Sequence, residues 1–251
     1  MTKVIAYTAL HYGRDFLASA IRSVIDYVDE MYVIYTPVGS HGHRTDAQCP
    51  ESQEELFWIA NDAAQGKLHW REGYFTHEGQ QRDAIYQYAP DADVILTLDA
   101  DEIWPPELVK CMVNLPNTGI ALPRRVRVPM IHFWRSLYRA VLHDPAYPER
   151  LWFRNAATEE SVTLRSTPDR PIAHMGYAQR SEIVGYKLLT HGHKNEFRRD
   201  CDWFRDIFMT NRQTDCHPVG SEYWNMEAVD PLDYLPEWMQ NHPYYGLEVI
   251  P

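Results

Sequence analysis

Val94-Ile95-Leu96-Thr97-Leu98 runs directly into Asp99-Ala100-Asp101-Glu102, so five mostly aliphatic residues end in three carboxylates within four positions. The apolar run has the length and β-branched content of a buried strand. A run that is apolar at nearly every position reads as a strand covered on both faces, as in a parallel sheet. The carboxyl ends of such strands are where open α/β sheets bind ligands. Clustered acids at that place repel one another, and a bound cation removes the repulsion. Two aspartates one residue apart offer oxygens to a single hard metal, Mg²⁺ or Mn²⁺. The plainer alternative is a strand that leaves the core into a solvated acidic turn.

Strand and helix patterns alternate around this junction. Lys3 to Thr8 reads as a first strand. Phe16, Leu17, Ala20, Ile21, Val24, Ile25 and Val28 then form one helical stripe, with Asp15 as an N-cap or first-turn acid. Met31 to Tyr35 reads as a second strand, which makes a β-α-β unit with a parallel pair. A loop over 36–50 carries His41 and His43. A helix over 51–64, a short strand within 67–75, a helix over 79–88 and a helix over 107–113 behind Pro105-Pro106 follow. Residues 1–115 therefore have the pattern of an α/β layer. Beyond them, 119–128 and 150–154 read as strands and 131–142 fits either type. A helical region spans about 180–209, and a proline- and aromatic-rich tail reads as an extended arm packed on the body. The expected division is one domain over 1–211, with halves 1–115 and 116–211, followed by an arm over 212–251.

The chain has 251 residues, enough for one large domain with an appendage. Four scattered cysteines without a Cys-x-x-Cys pair argue against a disulfide framework or a thiolate zinc site. No apolar run approaches the about 20 residues of a membrane helix, and Met1-Thr2-Lys3 opens no leader pattern. The expectation is a cytoplasmic protein with no membrane span. The net charge of −11 argues against nucleic acid as a general partner. Residues 120–170, however, hold nine Arg and five acids, a local balance of +4 that leaves −15 for the remainder. Arginine suits bidentate phosphate contacts, so this segment reads either as a face for an anionic acceptor or diphosphate or as a solvated face of ion pairs.

Several motifs in this order resemble the GT-A glycosyltransferases, specifically the family 2-like ones. They are Tyr7-Thr8-Ala9 through Ala20-Ile21-Arg22-Ser23-Val24, Val28-Asp29-Glu30-Met31-Tyr32-Val33-Ile34, Gly79-Gln80-Gln81-Arg82-Asp83 one helix before Leu96 to Glu102, and His174-Met175-Gly176-Tyr177. The resemblance covers residues 1–180. It implies a GT-A (Rossmann-like) nucleotide-diphospho-sugar transferase fold with a mostly parallel central sheet, a C-terminal helical region and an extended arm. It also implies a nucleotide-sugar donor, UDP-type favoured, and Mn²⁺ or Mg²⁺ bridging the diphosphate to the acidic motif. The chain departs from the family at Thr36 to Ser40, where members carry an acidic, Ser-rich loop.

Glycosyl transfer needs charge stabilisation at the leaving diphosphate, a base for the acceptor hydroxyl and exclusion of water. Asp101 is the expected metal ligand, with Asp99 as a second ligand or a holder of the ribose and His174 as the third ligand. A nitrogen among carboxylate oxygens tilts the choice towards Mn²⁺. Arg82 is expected to face the diphosphate or the acidic turn, and Tyr7 and Thr8 the nucleoside. An inverting reaction needs a carboxylate base. Asp144 and Glu149 are the candidates, with His132 and Glu222 as fallbacks. The acceptor reads as a glycan or lipid-linked glycan, or a hydroxylated base in phage DNA. A His/Asp-rich metal-dependent hydrolase or phosphoesterase using His41, His43, Asp99, Asp101, His174, His191 and His193 is the alternative, and a non-catalytic binding protein on the same scaffold is a third reading.

Overall fold

The computed structural model describes residues 2–39, 45–142, 147–165, 170–190, 194–219 and 224–251. Strand β1 (Val4–Leu10) lies between β2 (Glu30–Tyr35) and β4 (Val94–Thr97), parallel to both, and β3 (Leu68–Glu72) extends the parallel set beyond β2. Alternation along β1 divides the core. Val4, Ala6, Val33, Val94 and Leu96 meet α1 (Arg14–Val24), α2 (Gln53–Ala63) and α5 (Pro106–Asn114) through Leu17, Ile21, Leu56, Ala60 and Leu108. Ile5, Tyr7, Ile34 and Ile95 face the other way, against Ala84, Ile85 and Ala89 around α3 (Glu78–Asp83) and α4 (Ile85–Tyr88). Period-two alternation on a sheet covered on both sides produces this pattern.

The sheet is mixed. Past β4, strand β9 (Glu149–Phe153) joins antiparallel, followed by β6 (Arg125–Arg127) and β10 (Ser161–Thr163), giving the order β10-β6-β9-β4-β1-β2-β3. A second sheet has the order β12-β8-β7-β11-β5, from β5 (Glu102–Ile103), β7 (Met130–Trp134), β8 (Arg139–Val141), β11 (Ile172–Tyr177) and β12 (Glu227–Ala228). The whole is a Rossmann-like α/β arrangement with an antiparallel extension. The ambiguous stretch 131–142 is thus two antiparallel strands.

The helical region expected to 209 is shorter. Among the described residues of that region α6 (Ser181–Thr190) is the one regular helix, followed by a 3₁₀ turn at Lys194–Glu196 and a π turn at Phe204–Phe208. Residues 194–202 supply little besides Phe197 for an apolar stripe, so tertiary packing cannot hold a helix there. Trp203 and Phe208 instead join Trp134 and Tyr177 in an aromatic cluster. In the tail, Leu235, Met239 and Ile250 are buried against Phe133 and Phe16, and the His242 ring stacks on Phe16 at 4.7 Å. Among the described residues no helix is long and apolar enough to cross a membrane.

Candidate functional site

The acidic turn sits where the two sheets part. Leu98 N–H donates to Tyr7 O at 2.9 Å, and Glu102 N–H closes the turn onto Asp99 O at 3.1 Å. Strand β5 then leaves the main sheet and pairs with β11, placing Glu102 opposite His174, while β11 pairs with β7 and sets His174 beside His132. Strand register therefore assembles three polar side chains from three distant stretches. Gly13, at φ 146°, opens α1 against this turn. A Cβ there would lie 2.6 Å from the Ala100 Cβ, so only glycine allows the approach.

Asp99 is held by two guanidinium groups: Arg82 Nη2 donates to Oδ1 at 2.7 Å and Arg150 Nη2 to Oδ2 at 2.8 Å. Burial acts to raise its pKa, but Arg150 and Arg82 outweigh burial and hold the carboxyl below the usual range. Glu102 is fully buried and accepts from Arg150 Nε at 2.9 and 3.0 Å. Burial pushes its pKa up to about 7 against the pull of Arg150, with the Asp99 charge adding to the rise. Arg150 reaches both carboxylates from a β-bulge. Val126 pairs with Leu151 and Arg127 with Glu149, so Arg150 is the extra residue, and bulges re-aim side chains in this way.

Asp101 faces a different set. Gln179 Nε2 donates to Oδ2 at 3.0 Å, His174 Nε2 stands 3.6 Å from Oδ1, and Lys187 Nζ 3.8 Å from Oδ2. His174 Nδ1 meets His132 Nδ1 at 2.8 Å, so one of the two nitrogens donates to the other. Burial drives the His174 pKa down to about 3 despite Asp101, which keeps the ring neutral. Burial, with Asp101 nearby, raises the Tyr177 phenol.

A cavity of about 590 Å³ is lined by Tyr35, Tyr74, Phe75, Cys49, Glu51 and Tyr186 among others. It lies at the carboxyl ends of β2 and β3, the edge on which β4 also ends. Gln81 holds this edge together: its Nε2 donates to Leu10 O at 3.1 Å and Ile34 O at 2.7 Å. His11 Nδ1 donates to Thr36 O at 2.8 Å, so its Nε2 accepts from the Tyr186 hydroxyl at 2.7 Å. Glu51 links cavity and turn, accepting from Gly13 N–H at 2.7 Å and Arg14 N–H at 2.9 Å at the start of α1.

The structure thus brings together Arg82, Asp99, Asp101, His174 and the fallback His132. Asp99, expected as a metal ligand or a holder of the ribose, has a guanidinium group on each oxygen. Tyr7 is a buried sheet residue whose hydroxyl accepts from Thr97 Oγ1 at 3.4 Å, and the Thr8 hydroxyl is buried without a hydrogen-bond partner among the described residues. Glu149, expected as a base, is engaged by Arg127 at 3.2 Å, Arg125 at 3.5 Å and Ser161 Oγ at 2.8 Å. Asp144, Glu222, His41, His43, His191 and His193 lie outside the described residues. Among the described residues, no group of three or more His, Cys, Asp and Glu is placed to hold a metal ion. Asp101 and His174 are a two-donor set, which fits a cation whose remaining positions are filled by water and substrate phosphate. Arg150, Gln179 and Lys187 carry no sequence signal that singles them out one by one, and Glu102 stands out only as one of three clustered acids. The signal for Arg150 was the basic balance of 120–170 set against the acids at 99–102. Much of that balance is internal: Arg135 donates to Phe208 O, Met209 O and Ile250 O, and Arg124 pairs with Glu159.

No family model matches the chain. No curated protein matches it. Among solved structures, it is similar to a mycobacterial protein (17% identity over 52% of this chain and 41% of that one, TM-score 0.39). It is similar to S. aureus TarS residues 1–349 (8% identity, 70% and 61%, TM-score 0.43). It is also similar to a UDP-glucose pyrophosphorylase complexed with UDP-glucose (10% identity, 62% and 70%, TM-score 0.33). The chain spans less than two thirds of the first two of these proteins.

Proposed function

We propose that this chain is a metal-assisted GT-A glycosyltransferase that moves a sugar from a nucleotide-diphospho-sugar, UDP-type favoured, to an acceptor hydroxyl of a glycan. The observation that carries the reading is the meeting of Asp101 and His174 at the carboxyl edge of a parallel sheet, the edge that also carries an aromatic-lined cavity. The charges of the turn support it. Arg82 and Arg150 are taken up by Asp99, Glu78 and Glu102, which leaves the single charge of Lys187 near Asp101, so full neutralisation of an arriving diphosphate calls for a further cation.

Asp101 and His174 would hold that cation, Mn²⁺ or Mg²⁺, with the lone pair of His174 Nε2 available when its Nδ1 carries the proton shared with His132. A metal there stabilises the charge that develops on the leaving diphosphate. Arg82, Asp99, Glu102 and Arg150 orient the turn as a buried network, and Gly13 lets the start of α1 seat against it. Tyr35, Tyr74, Phe75 and Tyr186 offer ring faces and hydroxyls for a nucleoside. With Glu149 engaged by arginines, Asp144 is the proposed base of an inverting transfer.

The test is a thermal-shift panel of UDP, GDP, CMP and dTDP sugars, each with and without Mn²⁺. One donor class should raise the melting temperature in a metal-dependent way, and Asp101→Ala should remove the metal-dependent part. A flat panel on the intact chain would overturn the proposal.

A further inference from the structure

We propose that Lys187 is a phosphate-binding residue, its ammonium fixed beside Asp101 to take an anionic diphosphate oxygen directly, with or without a metal. The proposal deepens the reading of this site as one for a nucleotide diphosphate. Lys187 projects from α6, next to the cavity-lining Tyr186, and its side chain is 12% exposed. The ammonium lies 5.1 Å from the Tyr177 ring centroid, 3.4 Å from Gly176 O and 3.8 Å from Asp101 Oδ2. An ammonium has three N–H donors, and among the described residues its one hydrogen bond is the long one to Gly176 O. A largely buried cation with donors to spare is costly unless a ligand completes it.

The neighbouring groups direct that ligand. Arg82 and Arg150 are committed to Asp99, Glu78 and Glu102, so they are not free to turn towards an incoming anion. Lys187 is bound only loosely to its carboxylate. Gln179, 1% exposed, donates to Asp101 through Nε2, while its Oε1 has no partner among the described residues. The Asp101 corner thus offers an under-used donor group and an under-used acceptor around one carboxylate.

Two opposite effects follow from one charge. Positive charge beside Asp101 attracts a diphosphate and repels a metal ion that binds alone. Calorimetry on wild type, Lys187→Met and Lys187→Arg separates them, using inorganic pyrophosphate in EDTA and, separately, Mn²⁺ alone. In Lys187→Met, pyrophosphate affinity should fall about tenfold or more, the loss of one charged hydrogen bond, while Mn²⁺ affinity rises about threefold or more. Lys187→Arg should keep pyrophosphate affinity within about threefold. If the methionine variant does not melt cooperatively, Lys187→Gln takes its place. Wild type that ignores pyrophosphate in EDTA would overturn the proposal, as would a variant in which both affinities fall together or neither moves. A flat nucleotide-sugar panel alongside the expected pyrophosphate result would sink the transferase reading and leave the phosphate site standing.

Discussion

The imidazole of His174 lies over Gly176: a Cβ built at position 176 would stand 2.4 Å from its Cε1 and 2.9 Å from its Nε2. Residues two apart on a strand share a face, so the ring can fold back along β11 only because the next side chain on that face is missing. Gly176→Ala should push the ring off Asp101. Overpacking of this kind costs about 1–3 kcal/mol, which denaturant titration would show as a modest loss. Mn²⁺ affinity should fall about 10- to 100-fold, as when the support of a ligating histidine is removed. Unchanged Mn²⁺ affinity in a folded variant would show that the ring's position is unimportant for metal.

Glu102 and His174 titrate against each other. Folding lowers His174 from 6.5 to about 3, so below pH 6.5 the unfolded chain takes up a proton that the native ring refuses. Stability from this group therefore rises with pH between about 3 and 6.5. Folding raises Glu102 from 4.5 to about 7. Between those values the native state holds the extra proton, and stability from this group falls as pH rises. The two slopes, each at most about 1.4 kcal/mol per pH unit, oppose each other between pH 4.5 and 6.5. Wild type should be nearly flat there, as far as these groups decide it. Glu102→Gln should unmask a rise with pH, and His174→Asn a fall. Urea titrations at pH 4.5, 5.5 and 6.5 check this; the same slope in all three proteins would refute it.

Much of the α/β layer is legible because its signals are local. The stripe from Phe16 to Val28, the strand at 31–35 and the acid-ended run at 94–98 each declare themselves within a dozen residues. The second sheet is less so. Ile131 to Leu142 mixes aromatics and arginines without a period of two or 3.6, and its strands exist through pairing with β11 and β12. The fate of Arg150 was also hidden. Its partners lie 48 and 51 residues away, and the bulge that aims it leaves no mark in composition. Asp99 illustrates the limit of a motif: Asp-x-Asp spacing names two carboxylates but not which one the fold turns towards arginine.

Gln81 ties the ends of two parallel strands with one amide, donating to Leu10 O and Ile34 O, and is 1% exposed. Gln81→Leu keeps the volume but removes both bonds. Leu10 O keeps the Thr36 N–H at 2.9 Å, so the loss falls on Ile34 O, and a buried group that loses its partner costs about 1–3 kcal/mol. The variant should lose stability in that range, and amide exchange should quicken where β1 and β2 end. Wild-type protection there would mean that water replaces the amide at no cost.

Arg150 offers the sharpest test of how the turn is held. Its side chain is 11% exposed, and it serves a fully buried Glu102 and a half-buried Asp99 together. Removing one partner of a buried ion pair leaves an uncompensated charge and typically costs about 3–5 kcal/mol. Arg150→Met should fall in that range above pH 7, where Glu102 is ionised in the wild type. Arg82→Met should cost less, because its side chain is 26% exposed and Asp99 keeps Arg150. Replacing a buried pair by apolar side chains is often neutral, so adding Glu102→Leu to Arg150→Met should recover much of the loss. Asp99 then keeps Arg82 alone, and what is not recovered measures the Asp99–Arg150 contact. Denaturant titration of the three variants checks the order. A double variant no more stable than Arg150→Met would show that Glu102 is not the charge left stranded.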